Sequence, residues 1–236
     1  MINYPNIQIF DVSILYFLNS FVGVCPKFDS FVELLVDFNP IKMGPMVLIL
    51  WGFWFQHDTE TLNRRAAVIR ACLGCVSAML IARLCALFAL FRLRPLHNPE
   101  LLLKLNDGMN HTVLDGWSSF PSDHAALGFA LATSIFFIHR RWGIFALVHT
   151  VIIICLPRMY LSLHYPTDII AGALIGICSA WIVMKADRIK SLAKNLLRFE
   201  KSHSVFFYLL LFIFTSQMMQ MFKDVRNLTS FVVKTF

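Results

Sequence analysis

Apolar and polar positions divide the chain into helical apolar stretches separated by short polar breaks. Residues 7–21 place Phe10, Ile14, Phe17, Leu18 and Phe21 at helical spacing, opposite Asp11, Ser13 and Asn19. Phe28, Phe31, Val32 and Leu35 repeat the pattern against Asp29, Glu33 and Asp37. Both stretches read as amphipathic helices lying in a membrane interface, too short and too polar to cross. Pro40 and Gly44-Pro45 then break the chain. Longer apolar runs follow at 46–55, 66–91, 125–138, 143–163, 168–184 and 205–222. They predict a bundle of about six transmembrane helices, the first of them short for the roughly 20 residues a crossing needs.

Composition strengthens that reading. The chain is 58% hydrophobic and 15% charged, with 23 Phe, where a soluble domain carries about a quarter charged residues. No linker-like stretch divides it, so residues 1–236 are expected to form a single membrane domain: an interfacial segment (1–40), a core (66–184) and a last helix (205–222). The first six residues hold no basic residue and Asp11 interrupts the next run, a pattern unlike a signal peptide. Cys72 and Cys75 form a C-x-x-C inside a helical run, where two small packing residues are expected, not a disulfide or zinc site.

The net charge of +7 raises the question of nucleic acid, and the placement of the charges answers it. Six of the 21 basic residues fall between Lys185 and Lys201, flanked by apolar runs, as in a cytoplasmic membrane loop. Arg64, Arg65 and Arg70 and the Arg140-Arg141 pair fall on the same face if six spans are counted. The polar loop 92–120, with Asn98, Asp107, Asn110, His111 and Trp117, and the region of His164 then face outward.

Three segments on the outward face carry candidate chemistry. Arg158 lies in an apolar run, where a charge is costly and functional by default. His164 and Asp168 are four apart, and Pro166 suits a first helical turn, so the carboxylate falls near the imidazole. Such a pair either orients a nucleophilic histidine or simply caps a helix. Pro121-Ser122-Asp123-His124 begins another helix, whose free N–H groups suit either a phosphate or an ordinary cap. Arg94 and Arg158 have the fork of donors that matches phosphate oxygens.

Arg94-Pro95, Pro121-Ser122-x-His124 and Arg158-x5-His164-x3-Asp168 resemble, in order and spacing, the signature of the type 2 phosphatidic acid phosphatase family, K-x6-R-P, P-S-G-H and S-R-x5-H-x3-D. The resemblance covers residues 66–184. It implies that His164 is a nucleophile forming a phosphohistidine, oriented by Asp168, with His124 as general acid. It implies further that Arg94, Ser122, Arg158 and the Asp123 amide hold the phosphate, and that no metal and no cofactor is needed.

Three positions depart from that signature. The family lysine is Leu87. Arg83 lies one turn further back, about 16 Å of helix from Arg94, and reads as structural or snorkelling, which makes Arg92 the nearer candidate. Asp123 replaces the family glycine, as in bacterial undecaprenyl pyrophosphate phosphatases, and Pro157 replaces the serine, as in lipid A phosphotransferases. The expectation is an all-α enzyme of a bacterial inner membrane, its site facing outward, hydrolysing a lipid phosphate, with a polyprenyl pyrophosphate favoured. Phosphatidylglycerol phosphate, phosphatidate, phosphotransfer to lipid A and a non-catalytic lipid-binding or transport protein are the alternatives. Its partners are the lipid substrate and membrane lipids, not nucleic acid.

Overall fold

A computed structural model describes residues 5–106, 112 and 114–221. Asp107, Asn110, His111 and Phe222, singled out above, lie outside the described residues. Every regular element described is helical: α1 (Pro5–Asn19), α2 (Pro26–Asp37), α3 (Asn39–Phe55), α4 (Thr61–Phe88), α5 (Asp123–Ile138), α6 (Arg140–His149), α7 (Leu156–Tyr160), α8 (Pro166–Lys185), α9 (Asp187–Ser202) and α10 (Ser204–Met219). A π-helical stretch, Thr150–Cys155, joins α6 to α7.

Three of these runs are long and apolar enough to cross a membrane: α4, the continuous Arg140–Tyr160 run, and α8. The α2–α3 pair, bent by 55° at Phe38, makes a fourth if it counts as one broken span. The bend follows from Pro40 at the start of α3, which cannot donate to the preceding turn. α5 and α10 have 16 residues each, about 24 Å of helix against a hydrocarbon core of about 30 Å. Length and composition therefore support three or four of the six crossings expected, and α5 and α10 fall short of the test by length.

Each of the two N-terminal helices turns one carboxylate of its polar stripe inward. Asp11 is fully buried while Phe17 is 66% exposed, and in α2 Asp29 is buried while Phe28 and Phe31 are exposed. Buried carboxylates need partners, and these have them. Asp11 binds Arg92 and Thr167, and Asp29 accepts from the Gly23 amide and the Tyr160 hydroxyl. The outer Phe faces are then free to meet lipid. The basic stretch after α8 is a helix, not an open loop. Ala193 and Leu197 are buried on one face of α9, while Arg188, Lys190, Lys194 and Arg198 point away from the protein.

The bundle has two distinct ends. At one, Arg70 donates to the Met184 carbonyl, Arg65 to the Trp54 carbonyl and Glu200, and Trp54 to Tyr208. The start of α4, the ends of α3 and α8, α9 and the start of α10 therefore meet there. The starts of α5 and α8 and the ends of α4 and α7 form the other end, one α8 length away.

Close contact of α5 with α8 sets the geometry of that second end. A Cβ on Gly172 would sit 2.3 Å from the Ser122 carbonyl, and one on Gly176 2.3 Å from the Ala126 carbonyl. Backbone meets backbone at both places, so neither position admits a side chain. Gly176→Val is expected to destabilise the fold by about 1–3 kcal/mol or more through overpacking. Gly52→Ala, whose Cβ would meet nothing within 4 Å, serves as the control. Unfolding in mixed micelles on SDS titration checks both; an unshifted Gly176→Val midpoint would refute the close approach.

Candidate active site

The site is assembled where two helices begin. Ser122 caps α5: its Oγ accepts from the Ala125 amide at 3.4 Å. Asp168, in the first turn of α8, accepts from the Tyr165 amide at 2.8 Å. The two starts are tied directly, the Ser122 amide donating to the Asp168 carbonyl at 3.1 Å. Pro166 opens α8, where no intrahelical donor is lost, while Pro121, expected in the first turn of α5, precedes the cap Ser122 and lies outside the helix.

His164 lies between α7 and α8. Ser162 takes a left-handed conformation (φ 56°) and the Leu163 amide bonds back to the Arg158 carbonyl, reversing the chain. The imidazole is buried, with Nδ1 2.9 Å from the Ser119 carbonyl and Nε2 3.3 Å from Nη1 of Arg94. A carbonyl only accepts and a guanidinium only donates, so Nδ1 carries the hydrogen and Nε2 the lone pair. Burial lowers the imidazole pKa below its ordinary value; the Arg94 and Arg158 charges push the same way, and Asp168 opposes them. The result at neutral pH is an uncharged imidazole with a free nitrogen beside an arginine.

Asp168 is beside this ring, Oδ2 being 3.8 Å from Nδ1, beyond hydrogen-bond length. Its strong bonds go elsewhere. Oδ2 accepts from the Ser119 hydroxyl at 2.5 Å, and Oδ1 from Arg92 at 2.6 Å. Ser119 thus connects carboxylate and imidazole, its hydroxyl on one and its carbonyl on the other. Arg92 also binds Asp11 at 2.5 Å and Thr167 at 2.7 Å, and stacks over Tyr165. Burial disfavours its charge, but the two carboxylates outweigh this and raise its pKa. Arg92 therefore supports the site from behind and does not line the cavity.

His124, the second histidine, is held by its neighbour. Its Nδ1 is 2.8 Å from Oδ1 of Asp123, and the other Asp123 oxygen accepts from Arg83. Arg83 in turn lies 5.4 Å from the centroid of the Trp117 ring. This corrects the expectation for Arg83. The 16 Å estimate assumed that helix continued to Arg94. In fact α4 ends at Phe88, and beyond it the chain brings Arg94 to the cavity that Arg83 also lines. Trp117, expected as an interfacial anchor, also faces this space. Arg83 was legible by the rule that marked Arg158, a charge inside an apolar run. Ser118 and Ser119 carried no such signal.

Arg94, His124, Arg158 and His164 open together on a cavity of about 600 Å³, which Arg83 and Asp123 also line. Ala82, Ala86, Leu87 and Phe91 form an apolar wall. Arg94 is anchored by the Leu163 and Ser118 carbonyls at 2.8 and 3.1 Å, and burial lowers its pKa against the pull of Asp123 and Asp168. Ser122 and Asp168 do not line the cavity: the Ser122 hydroxyl is occupied as the α5 cap, and Asp168 sits behind His164. Among the described residues no three His, Cys, Asp or Glu side chains group as a metal site. Paired positive guanidiniums beside a neutral imidazole suit a small multivalent anion, and the apolar wall suits an anion carried on a hydrocarbon.

Residues 67–190 match the model of the PAP2 superfamily. The chain is 30% identical over 158 residues to the bacitracin transport permease protein BcrC of Bacillus licheniformis, covering 66% of this chain and 72% of that one. It is 28% identical over 149 residues to YbjG of Escherichia coli K12, provisionally named an undecaprenyl-diphosphatase (62% and 67% covered). It is 41% identical over 68 residues to a lipid A 4'-phosphatase of Bacteroides thetaiotaomicron, covering 28% and 30%. No solved structure matches the chain.

Removing the Asp168 carboxylate would leave Arg92, the Ser119 hydroxyl and the Tyr165 amide without their common acceptor. Asp168→Ala is expected to cost about 3–5 kcal/mol, the range for breaking a buried ion pair. Asp168→Asn, which keeps an acceptor oxygen, should cost less. SDS titration of the purified variants measures both, and equal midpoints for Asp168→Ala and wild type would remove Asp168 from this role.

Proposed function

The chain belongs to the PAP2 superfamily, and from that premise we propose that it is a membrane phosphatase removing a phosphate from a lipid phosphate or diphosphate, without a metal, through a phosphohistidine. The observation that carries the reading is the convergence of the His164 Nε2 lone pair, Arg94, Arg158 and His124 on one cavity with an apolar wall.

In this reading Arg94 and Arg158 hold the phosphate oxygens while the His164 Nε2 attacks phosphorus. The N–P bond forms as the bond from phosphorus to the leaving oxygen breaks (the lipid's own in a monophosphate, that of the inner phosphate in a diphosphate), and His124 gives that oxygen a proton. Water then attacks the phosphohistidine, His124 takes its proton, and phosphate leaves as the N–P bond breaks. Asp168 acts through Ser119 and by its charge, holding the imidazole in place. A ground-state neutral His164 favours the attack, since a protonated ring has no lone pair at Nε2.

The favoured substrate is a polyprenyl diphosphate of the undecaprenyl class, supported by the name of the Escherichia relative and by Asp123. The lipid A 4'-phosphatase relative adds dephosphorylation of lipid A to the alternatives, beside phosphatidylglycerol phosphate and phosphatidate. The reading includes six crossings, with α5 and α10 as short spans in a bacterial plasma membrane. The basic α9 and the Arg64–Arg65 end would face the cytoplasm, and the cavity the exterior.

Two outcomes are expected. Purified protein in EDTA should release phosphate from an undecaprenyl diphosphate, with slower release from phosphatidate, phosphatidylglycerol phosphate and lipid A. Rapid quench should trap an acid-labile phosphoenzyme in wild type and none in His164→Ala, which should lose turnover but remain in the membrane. Turnover by His164→Ala at the wild-type rate would reject the mechanism, and lipid binding without turnover by wild type would favour a non-catalytic lipid protein.

Topology is tested separately in a cysteine-free background. A cysteine at Glu100, exposed at the cavity end, should react with an impermeant thiol reagent in intact cells or spheroplasts. A cysteine at Ser191, exposed on α9, should react only after lysis. The opposite pattern would turn the site to the cytoplasm, and reaction of both in intact cells would refute the six crossings.

A further inference from the structure

Asp123 is the point where this chain departs from the family's P-S-G-H, and its carboxylate has definite partners. One oxygen is 2.8 Å from Nδ1 of His124 and 2.9 Å from the His124 amide. The other is bound by Arg83, whose guanidinium also lies over the Trp117 ring. A glycine at this position could supply only its backbone.

We infer that Asp123, anchored by Arg83, is a positioning residue for His124 and forms a hydrogen-bonded histidine–carboxylate pair with it. The inference rests on the reading of His124 as the proton-transfer group. A carboxylate at Nδ1 takes the hydrogen of that nitrogen and aims Nε2 at the cavity. It also offsets a strongly positive surrounding. Arg83 from α4, Arg158 from α7 and Lys42 from α3 act on the imidazole or its partner, and Arg94 and His164 line the same cavity. Among these groups Asp123 is the carboxylate in hydrogen-bonding contact with the ring.

The pair serves both half-reactions. In the first, the Nε2–H proton of His124 moves to the departing oxygen as the phosphorus–oxygen bond breaks. In the second, the neutral Nε2 accepts a proton from water as the new oxygen–phosphorus bond forms. An imidazolium exists before the first transfer and after the second, and Asp123 stabilises it each time. Arg83 keeps the carboxylate turned toward His124. It thereby acts at the site although it does not stand at the family lysine's position, which is Leu87 here.

The test uses the full-length purified protein. Asp123→Asn should lower kcat by about tenfold to a hundredfold, part of what general acid–base catalysis contributes, with KM nearly unchanged. The limb of the pH–rate profile that disappears in His124→Ala should move to lower pH, because the imidazolium has lost its carboxylate. Asp123→Gly should behave alike. Arg83→Lys should retain most activity and Arg83→Met should not, and Asp123→Asn with Arg83→Met should be no worse than the poorer single variant. Ethoxyformylation of His124, followed by peptide mass spectrometry across pH, reads the same imidazole without turnover. Its midpoint should fall in Asp123→Asn and Asp123→Gly. A protein that hydrolyses no lipid phosphate yet shows this fall would reject the phosphatase reading and keep the pair. An unmoved midpoint in both variants, whatever the activity, would overturn the inference.

Discussion

The Asp168 carboxylate is the contact on which the rest of the structure depends. It is fully buried and accepts from Ser119, Tyr165 and Arg92, which reach it from the loop before α5, the start of α8 and the loop after α4. A carboxylate removed from water is tolerable only with such company. Through Arg92 the constraint extends to Asp11, so α1 is held by its polar stripe and turns its phenylalanines outward. Through Ser119 it extends to His164. Deep charge and helix placement are therefore one arrangement at this end of the bundle.

The second constraint is steric. Gly172 and Gly176 let α8 lie against the backbone of α5, which brings the start of α8 beside the start of α5. Forty residues separate His124 from His164 in the chain, and this contact is what makes them neighbours. The loop after α4 completes the mouth by bringing Arg94 to the cavity that Arg83 also lines.

Both imidazoles are held at Nδ1 by an acceptor, His164 by the Ser119 carbonyl and His124 by the Asp123 carboxylate. The difference between the acceptors matters for the proposed chemistry. Burial, with two arginines beside it and a neutral carbonyl at Nδ1, leaves His164 uncharged, as a nucleophile requires. A carboxylate supports an imidazolium, as a group that gives and takes protons requires. The same residue type is thus suited to two roles by its partner.

Much of this was legible in the chain alone. Apolar periodicity and composition determined a helical membrane protein, because burial in lipid demands long apolar helices whatever the tertiary arrangement. The spacing of Arg94, His124, Arg158, His164 and Asp168 marked the residues that meet at the cavity or directly behind it, and the family. The number of crossings stayed open, since a 16-residue apolar helix carries no mark of where the bilayer lies. Local spacing also misled. Arg83 seemed remote from Arg94 because helical rise was counted across a segment that is not helix. Only the tertiary structure decided that Asp11 faces Arg92, that Ser119 bridges Asp168 and His164, and that Asp123 with Arg83 holds His124. Apart from the adjacent Asp123–His124 pair, these contacts join segments distant in sequence, and a buried charge chooses its partner by three-dimensional proximity, which spacing along the chain does not encode.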